Sequence, residues 1–129
     1  MLKRDEIKYV RDLAKSAYSK DSECAICSTT EELQFHHYYS MTLLWNKWKK
    51  ENKIIIDTVD DILAAREEFK EIFHREIYDE TVTLCKTCHM SKLHKIYGKV
   101  PPLTTAAKQK RWVERMNKKL SEKNNNNVE

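Results

Sequence analysis

Residues 85–94 read CKTCHMSKLH, and the fold turns on how this stretch pairs with CAIC at residues 24–27. The chain has four cysteines, all of them in these two Cys-x-x-Cys pairs, and a histidine directly follows the last. Each pair can bend into a knuckle that offers two sulfurs to one ion, and four thiolates make a closed tetrahedral site for Zn²⁺. Reduced, buried thiols without metal are the plain alternative. The 57 residues between Cys27 and Cys85 exceed the roughly 15–20 of a compact zinc ribbon. Zinc is therefore expected to tie together the ends of a folded insert rather than of a loop.

Outward from the cysteines, ELQFHHYY (residues 32–39) alternates Leu33 and Phe35 with polar neighbours and reads as a strand. TVTLC (residues 81–85) reads as a second, and a helix is expected from about His89. Clamping Cys27 to Cys88 would draw His36, His37 and His89 towards one another. Neutral imidazoles bind divalent ions well, and a pKa near about 6.5 lets a histidine accept a proton at neutral pH.

The remainder reads as helix, because one glycine (Gly98) and two prolines (Pro101, Pro102) leave few sharp turns. A first helix is expected over 4–19, with Ile7, Val10, Leu13, Ala14 and Ala17 on one face. A second starts near Thr42 with Leu44, Trp45 and Trp48 at helical spacing, which reads as core. A third opens at Thr58 as N-cap, with Asp60 and Asp61 in its first turn and Val59, Ile62, Phe69, Phe73 and Ile77 as its apolar face. A basic helix over about 105–120 follows the prolines, docked by Trp112, Val113 and Met116. Residues 124–129 are expected to fray. The fold class is thus α+β and mostly helical: one domain over 1–123, with a core at 24–98, a helical insert at 41–78 and a basic C-terminal helix at 104–120.

Composition sets further bounds. The 129 residues carry a net charge of +4, with 34% charged and 40% hydrophobic residues, which fits a globular domain. No apolar run nears the roughly 20 residues of a membrane span, and MLKRDEIKYV is not a secretory signal. A cytoplasmic setting is expected, where Cys-x-x-Cys pairs favour metal over disulfides. Charge is unevenly spread: residues 45–53 sum to +3, residues 104–123 to +5 and residues 57–80 to −6. Basic patches suit phosphate backbones, although most charge runs are solvated faces. Lys47, Lys49 and Lys50, then Lys92 and Lys95, then Lys108, Lys110, Arg111 and Arg115 are the candidate DNA contacts. The acidic helix, 58–77, should face away from DNA and is a candidate surface for a protein partner or self-association.

CAIC, LQFHHYY and TLCKTCH together resemble the zinc-containing HNH endonucleases, a branch of the ββα-metal (His-Me finger) nucleases. The likeness covers residues 24–94, with small phage-encoded members as the nearest group, which would place the protein in a host cytoplasm. The resemblance implies a ββα-metal core stapled by zinc on the four cysteines, with His36 and His89 as ligands of a catalytic Mg²⁺, or of Mn²⁺ or Ni²⁺. It implies His37 as general base in the hydrolysis of a DNA phosphodiester to a 5′ phosphate and a 3′ hydroxyl. Neighbours on a regular strand face opposite sides. His36 and His37 must therefore sit at a frayed end, or exchange roles, if both are to meet the ion.

The family's central Asn falls on Glu80, which as a carboxylate can only accept, and which is the candidate brace for the loop bearing the base. His94 lies about 140° from His89 on a regular helix, so a phosphate contact is expected of it rather than a third ligand. Two further readings stand beside the nuclease: a catalytically inactive or accessory zinc-stapled DNA-binding module, and an adaptor acting through the acidic helix.

Overall fold

A computed structural model describes residues 4–126, with side chains as far as Leu120. The first helix, α1 (Glu6–Lys15), is shorter than expected and buries Val10 and Ala14. Strand β1 (Leu33–His37) pairs antiparallel with the later strand. Between them lies the insert, α2 (Met41–Glu51) and α3 (Val59–Ile72), closed by a π-helical turn, Arg75–Asp79. Strand β2 (Thr81–Cys85) leads into a π-helical segment, Thr87–Leu93, which runs on as α4 (His94–Tyr97). Gly98, at φ 93°, ends α4 in a conformation that side chains disfavour. The last helix, α5 (Ala106–Asn126), continues through the expected tail as far as Asn126, and residues 127–129 lie outside those described. The architecture is α+β and mostly helical, with one two-stranded sheet.

Local chemistry accounts for the insert. Ser40 caps α2 by accepting from the Leu43 N–H. Thr58 and Asp61 form a reciprocal capping box, with the Asp57 and Thr58 N–H groups both donating to the Asp61 carboxylate at 3.0 Å. The Asp61 carboxyl is held below its ordinary range by those two bonds. Of the apolar face expected on this helix, Ile62, Phe69 and Ile77 are buried. Phe73 is only partly covered and Val59 is 38% exposed. Trp45 and Trp48 are core: Trp45 packs edge-on against Phe69 at 5.2 Å, and its indole N–H donates to Glu6.

Two apolar clusters flank the two-stranded ribbon. One gathers Val10, Met41, Trp45, Ile62 and Phe69 from α1 and the insert. The other gathers Leu84, Leu93, Trp112 and Val113 around Cys24, Cys85 and Cys88. Strand alternation divides β1 between them: Phe35 stacks on Tyr18 beside α1, whereas His36 and Tyr38 turn towards α5. Among the described residues no helix is long and apolar enough to cross a membrane.

Candidate functional site

The cysteines meet as the spacing predicts. The sulfurs of Cys24, Cys27, Cys85 and Cys88 lie within 4.8 Å of one another, and none is in a disulfide. Cys27 and Cys85 stand 3.6 Å apart, close to the roughly 3.8 Å that a tetrahedral ion imposes with bonds of about 2.3 Å to sulfur. The Ile26 N–H points at the Cys24 sulfur and the Cys88 N–H at the Cys85 sulfur, each at 3.4 Å, as in knuckles built for thiolates. Burial works to raise the Cys24 thiol, but the surrounding N–H groups outweigh it and bring it down to about 7. Burial and the neighbouring sulfurs push Cys88 up. Four thiols so close cannot all ionise without a cation, so the set fits structural zinc.

Beside this cluster stand three histidines. Ring nitrogens of His36, His89 and His94 also lie within 4.8 Å of one another. His36 Nδ1 is 2.9 Å from His89 Nε2. Two glutamines decide which nitrogens carry protons. The Gln109 amide nitrogen donates to the Tyr38 carbonyl at 3.1 Å and to Thr105 Oγ1 at 3.0 Å, so its oxygen must face His36 Nε2, at 2.8 Å. That nitrogen is then the donor, and His36 Nδ1 holds a lone pair. Gln34 Oε1 accepts from His89 Nδ1 at 2.8 Å, leaving a lone pair on His89 Nε2. Burial drives His36 down to about 4 and His89 to about 3; the adjacent imidazoles lower both, while the bond to Gln109 opposes the fall at His36. His94 is lowered by burial and by Lys99. All three are thus held below the ordinary histidine value, which favours neutral rings.

The expected 140° separation of His89 and His94 does not hold, because the segment joining them is π-helical. The His94 N–H bonds back to the His89 carbonyl, five residues earlier, and this wider turn stacks the two rings 4.3 Å apart. His94 is a member of the cluster rather than an outlying residue.

Strand β1 stays regular through His37, which pairs with Thr81, so His36 and His37 do face opposite sides. His37 packs against Tyr18 and Phe35, each ring centre 5.2 Å away. Burial lowers it to about 4, the Ile77 carbonyl opposing and the Arg11 charge assisting. Its Nε2 is buried without a hydrogen-bond partner. Both His36 and His37 nevertheless reach one pocket of about 450 Å³ at the strand's end, together with His89 and His94.

The basic residues chosen from the sequence lie elsewhere: apart from His94, none lines this pocket. Lys49 is held by Glu6, Lys47 sits 3.9 Å from Glu51, and Lys110 sits 3.6 Å from Glu80. Lys50, Lys92, Lys95, Lys108, Arg111 and Arg115 are exposed. Glu80 adjoins Thr81, the residue paired with His37. Its carboxylate accepts from Arg75 at 3.1 Å, and its carbonyl accepts the N–H of Tyr38, the residue after His37, at 3.2 Å. The pocket's cations are Arg4, Lys8, Arg11, Lys15 and Lys99. The sequence carried a signal for the first four in their spacing of four, three and four residues, which gathers them on one side of α1 about 110° from its buried face. Gln34 and Gln109 left none, since a glutamine acquires its role only from the fold around it.

Site and fold define a small α+β protein in which a four-cysteine cluster supports a histidine-lined pocket with cationic walls. The model of the nicking endonuclease family, named for phage T5, matches residues 1–128, and the chain belongs to that family. Membership implies DNA endonuclease activity, with DNA as the substrate. No solved structure matches the chain.

Proposed function

We propose that the chain is a metal-dependent endonuclease of the HNH, ββα-metal kind that nicks DNA at the histidine pocket, stapled by Zn²⁺ on Cys24, Cys27, Cys85 and Cys88. One observation carries this reading: the lone pairs of His36 Nδ1 and His89 Nε2 face each other at 2.9 Å. Such an arrangement is repulsive unless a proton or a metal ion lies between them, and burial disfavours the proton. Two nitrogens at right angles around an ion, with bonds of roughly 2.0–2.1 Å, stand about 2.9 Å apart.

His36, His89 and His94 would hold the ion. Three imidazoles favour a transition ion such as Ni²⁺ over Mg²⁺, which prefers oxygen. When bound, the ion supplies positive charge against the charge developing on the phosphate and the departing 3′ oxygen. Gln34 and Gln109 keep the two facing lone pairs free for it. His37 would take a proton from the attacking water at Nε2, the nitrogen without a partner, once that buried atom is opened to the pocket. The water oxygen bonds to phosphorus, the bond from phosphorus to the 3′ oxygen breaks, and solvent protonates that oxygen. Tyr18 and Phe35 clamp the His37 ring and keep its flank dry, so it stays neutral and able to accept.

Supercoiled plasmid incubated with the protein and Mg²⁺, Mn²⁺ or Ni²⁺ tests the proposal. We expect metal-dependent nicked circles, and a loss of about 10² to 10⁴-fold for His37→Ala with zinc content and DNA affinity kept. DNA binding without cleavage in any metal would leave the accessory DNA-binding reading in its place. Cleavage by His37→Ala at the parental rate would move the base elsewhere.

A further inference from the structure

Helix α1 lies outside the cysteine-bounded core, yet its polar face forms a wall of the histidine pocket. Lys8, Arg11 and Lys15 fall within about 60° of one another on a helix, and all three are exposed. Lys99, just beyond α4, lines the same pocket. Arg4 also reaches it but is matched by Asp12 at 2.9 Å. Lys8, Arg11, Lys15 and Lys99 have no acidic partner within 4.0 Å among the described residues. Lys47, Lys49 and Lys110, in the patches that stand out in the sequence, are each paired with a carboxylate.

A solvated helix face has no reason to turn its uncompensated cations towards a cavity full of neutral imidazoles. Cations crowded there repel one another and disfavour protonated histidine. Arg11 and Lys99 line the same pocket as His37 and His94. Such an arrangement is stabilised by an anion. Arg11 is also held in place, its guanidinium donating to Thr42 Oγ1 at 3.0 Å. From Lys8 to Lys15 the helix rises about 10 Å, which matches the axial rise of about three nucleotides of one strand.

We infer that Lys8, Arg11 and Lys15 of α1, with Lys99, form the track that grips the phosphates of the cleaved strand on either side of the scissile bond. This rests on the pocket being the site of cleavage. The track sets which strand lies over the histidines, and the helix carrying it can vary without altering the ββα core.

The experiment measures duplex affinity against salt concentration in a His37→Ala background, with zinc in place and no other divalent ion. The triple variant Lys8→Gln, Arg11→Gln, Lys15→Gln should lower the slope of log K against log salt by about 2–3, at about 0.9 per phosphate contact. The pair Lys8→Gln, Lys15→Gln, which keeps the Arg11–Thr42 bond, should lower it by about 2. Lys108→Gln with Arg111→Gln, on the exposed side of α5, should change it less. In the cleaving protein the α1 substitutions should raise KM more than they lower kcat. An unchanged slope in both α1 variants overturns the inference even if plasmid is nicked. A lowered slope in a protein that nicks nothing would keep the track as a DNA-binding surface and sink the nuclease mechanism instead.

Discussion

Replacing Gln109 by leucine keeps the side-chain volume of a fully buried residue and removes three hydrogen bonds, to His36, Tyr38 and Thr105. The stability cost comes from the groups left behind. The His36 Nε2–H and the Tyr38 carbonyl lose partners in a dry interior, at about 1–3 kcal/mol each. Set against a typical total of about 5–15 kcal/mol, the variant still folds at 25 °C but melts earlier. The second effect is on the ion. With the acceptor gone, His36 can place its proton on Nδ1, and the lone pair that faced His89 is lost. Removing such a support typically weakens metal binding about 10–100-fold. Mn²⁺ binding followed by electron paramagnetic resonance, with zinc left on the cysteines, measures this directly. Nitrogen-15 shifts of His36 in the protein without Mn²⁺ report the tautomer. Gln109→Glu, which still accepts from His36, should recover most of the affinity but not the melting temperature, because the Tyr38 carbonyl still lacks a donor. Should Gln109→Leu bind Mn²⁺ within about twofold of the parent while melting earlier, Gln109 is packing alone and the tautomer reasoning fails.

Three other outcomes are expected. Because burial brings His37 down to about 4, it loses its proton well below the ordinary value. Cleavage should therefore climb through pH 4–5 and be level by about 6.5; a rise centred near 6.5 would mean that His37 titrates as if solvated. Phe69→Ala, at a fully buried ring packed on Trp45, Trp48 and Phe73, should cost about 3–5 kcal/mol by urea unfolding while leaving Mn²⁺ affinity in the folded protein nearly unchanged. Stripping zinc with a thiol-preferring chelator should abolish Mn²⁺ binding at the histidines as well as lower the melting temperature; intact Mn²⁺ binding without zinc would show that the two clusters stand independently.

What was legible in the sequence is what depends on spacing. The Cys-x-x-Cys pairs, the two strands and the N-cap at Thr58 follow from residue types at fixed offsets, and all are present. The placing of His94 was not legible, since a wheel drawn at 100° per residue has no term for a π turn. A seven-residue π segment shifts a residue five positions on from the far side of the helix to within 4.3 Å, ring centre to ring centre. The cations that line the pocket were not legible for a different reason. Lys47, Lys49 and Lys110 stand out by local density, but folding gave each a carboxylate partner. The cations left at the pocket are thinly spread along α1, where their periodicity carries more information than their number.

The π segment also explains why a zinc staple and a histidine cluster share so short a stretch. Cys88 and His89 are adjacent, so on the helical segment they point in different directions, one towards the sulfurs and the other towards the pocket. Leu93, fully buried between α5 and the sheet, anchors the segment from inside. An α-helical turn would have brought Leu93 over His89 and sent His94 to solvent. The extra residue per turn keeps Leu93 in the core and still returns His94 to the other two histidines. A π turn is less favourable than an α turn and persists only where its surroundings hold it. Here the Cys85–Cys88 knuckle fixes its start and the buried leucine its end. Loss of either should let the segment relax to regular helix, moving His94 off the cluster while His36 and His89 stay on it.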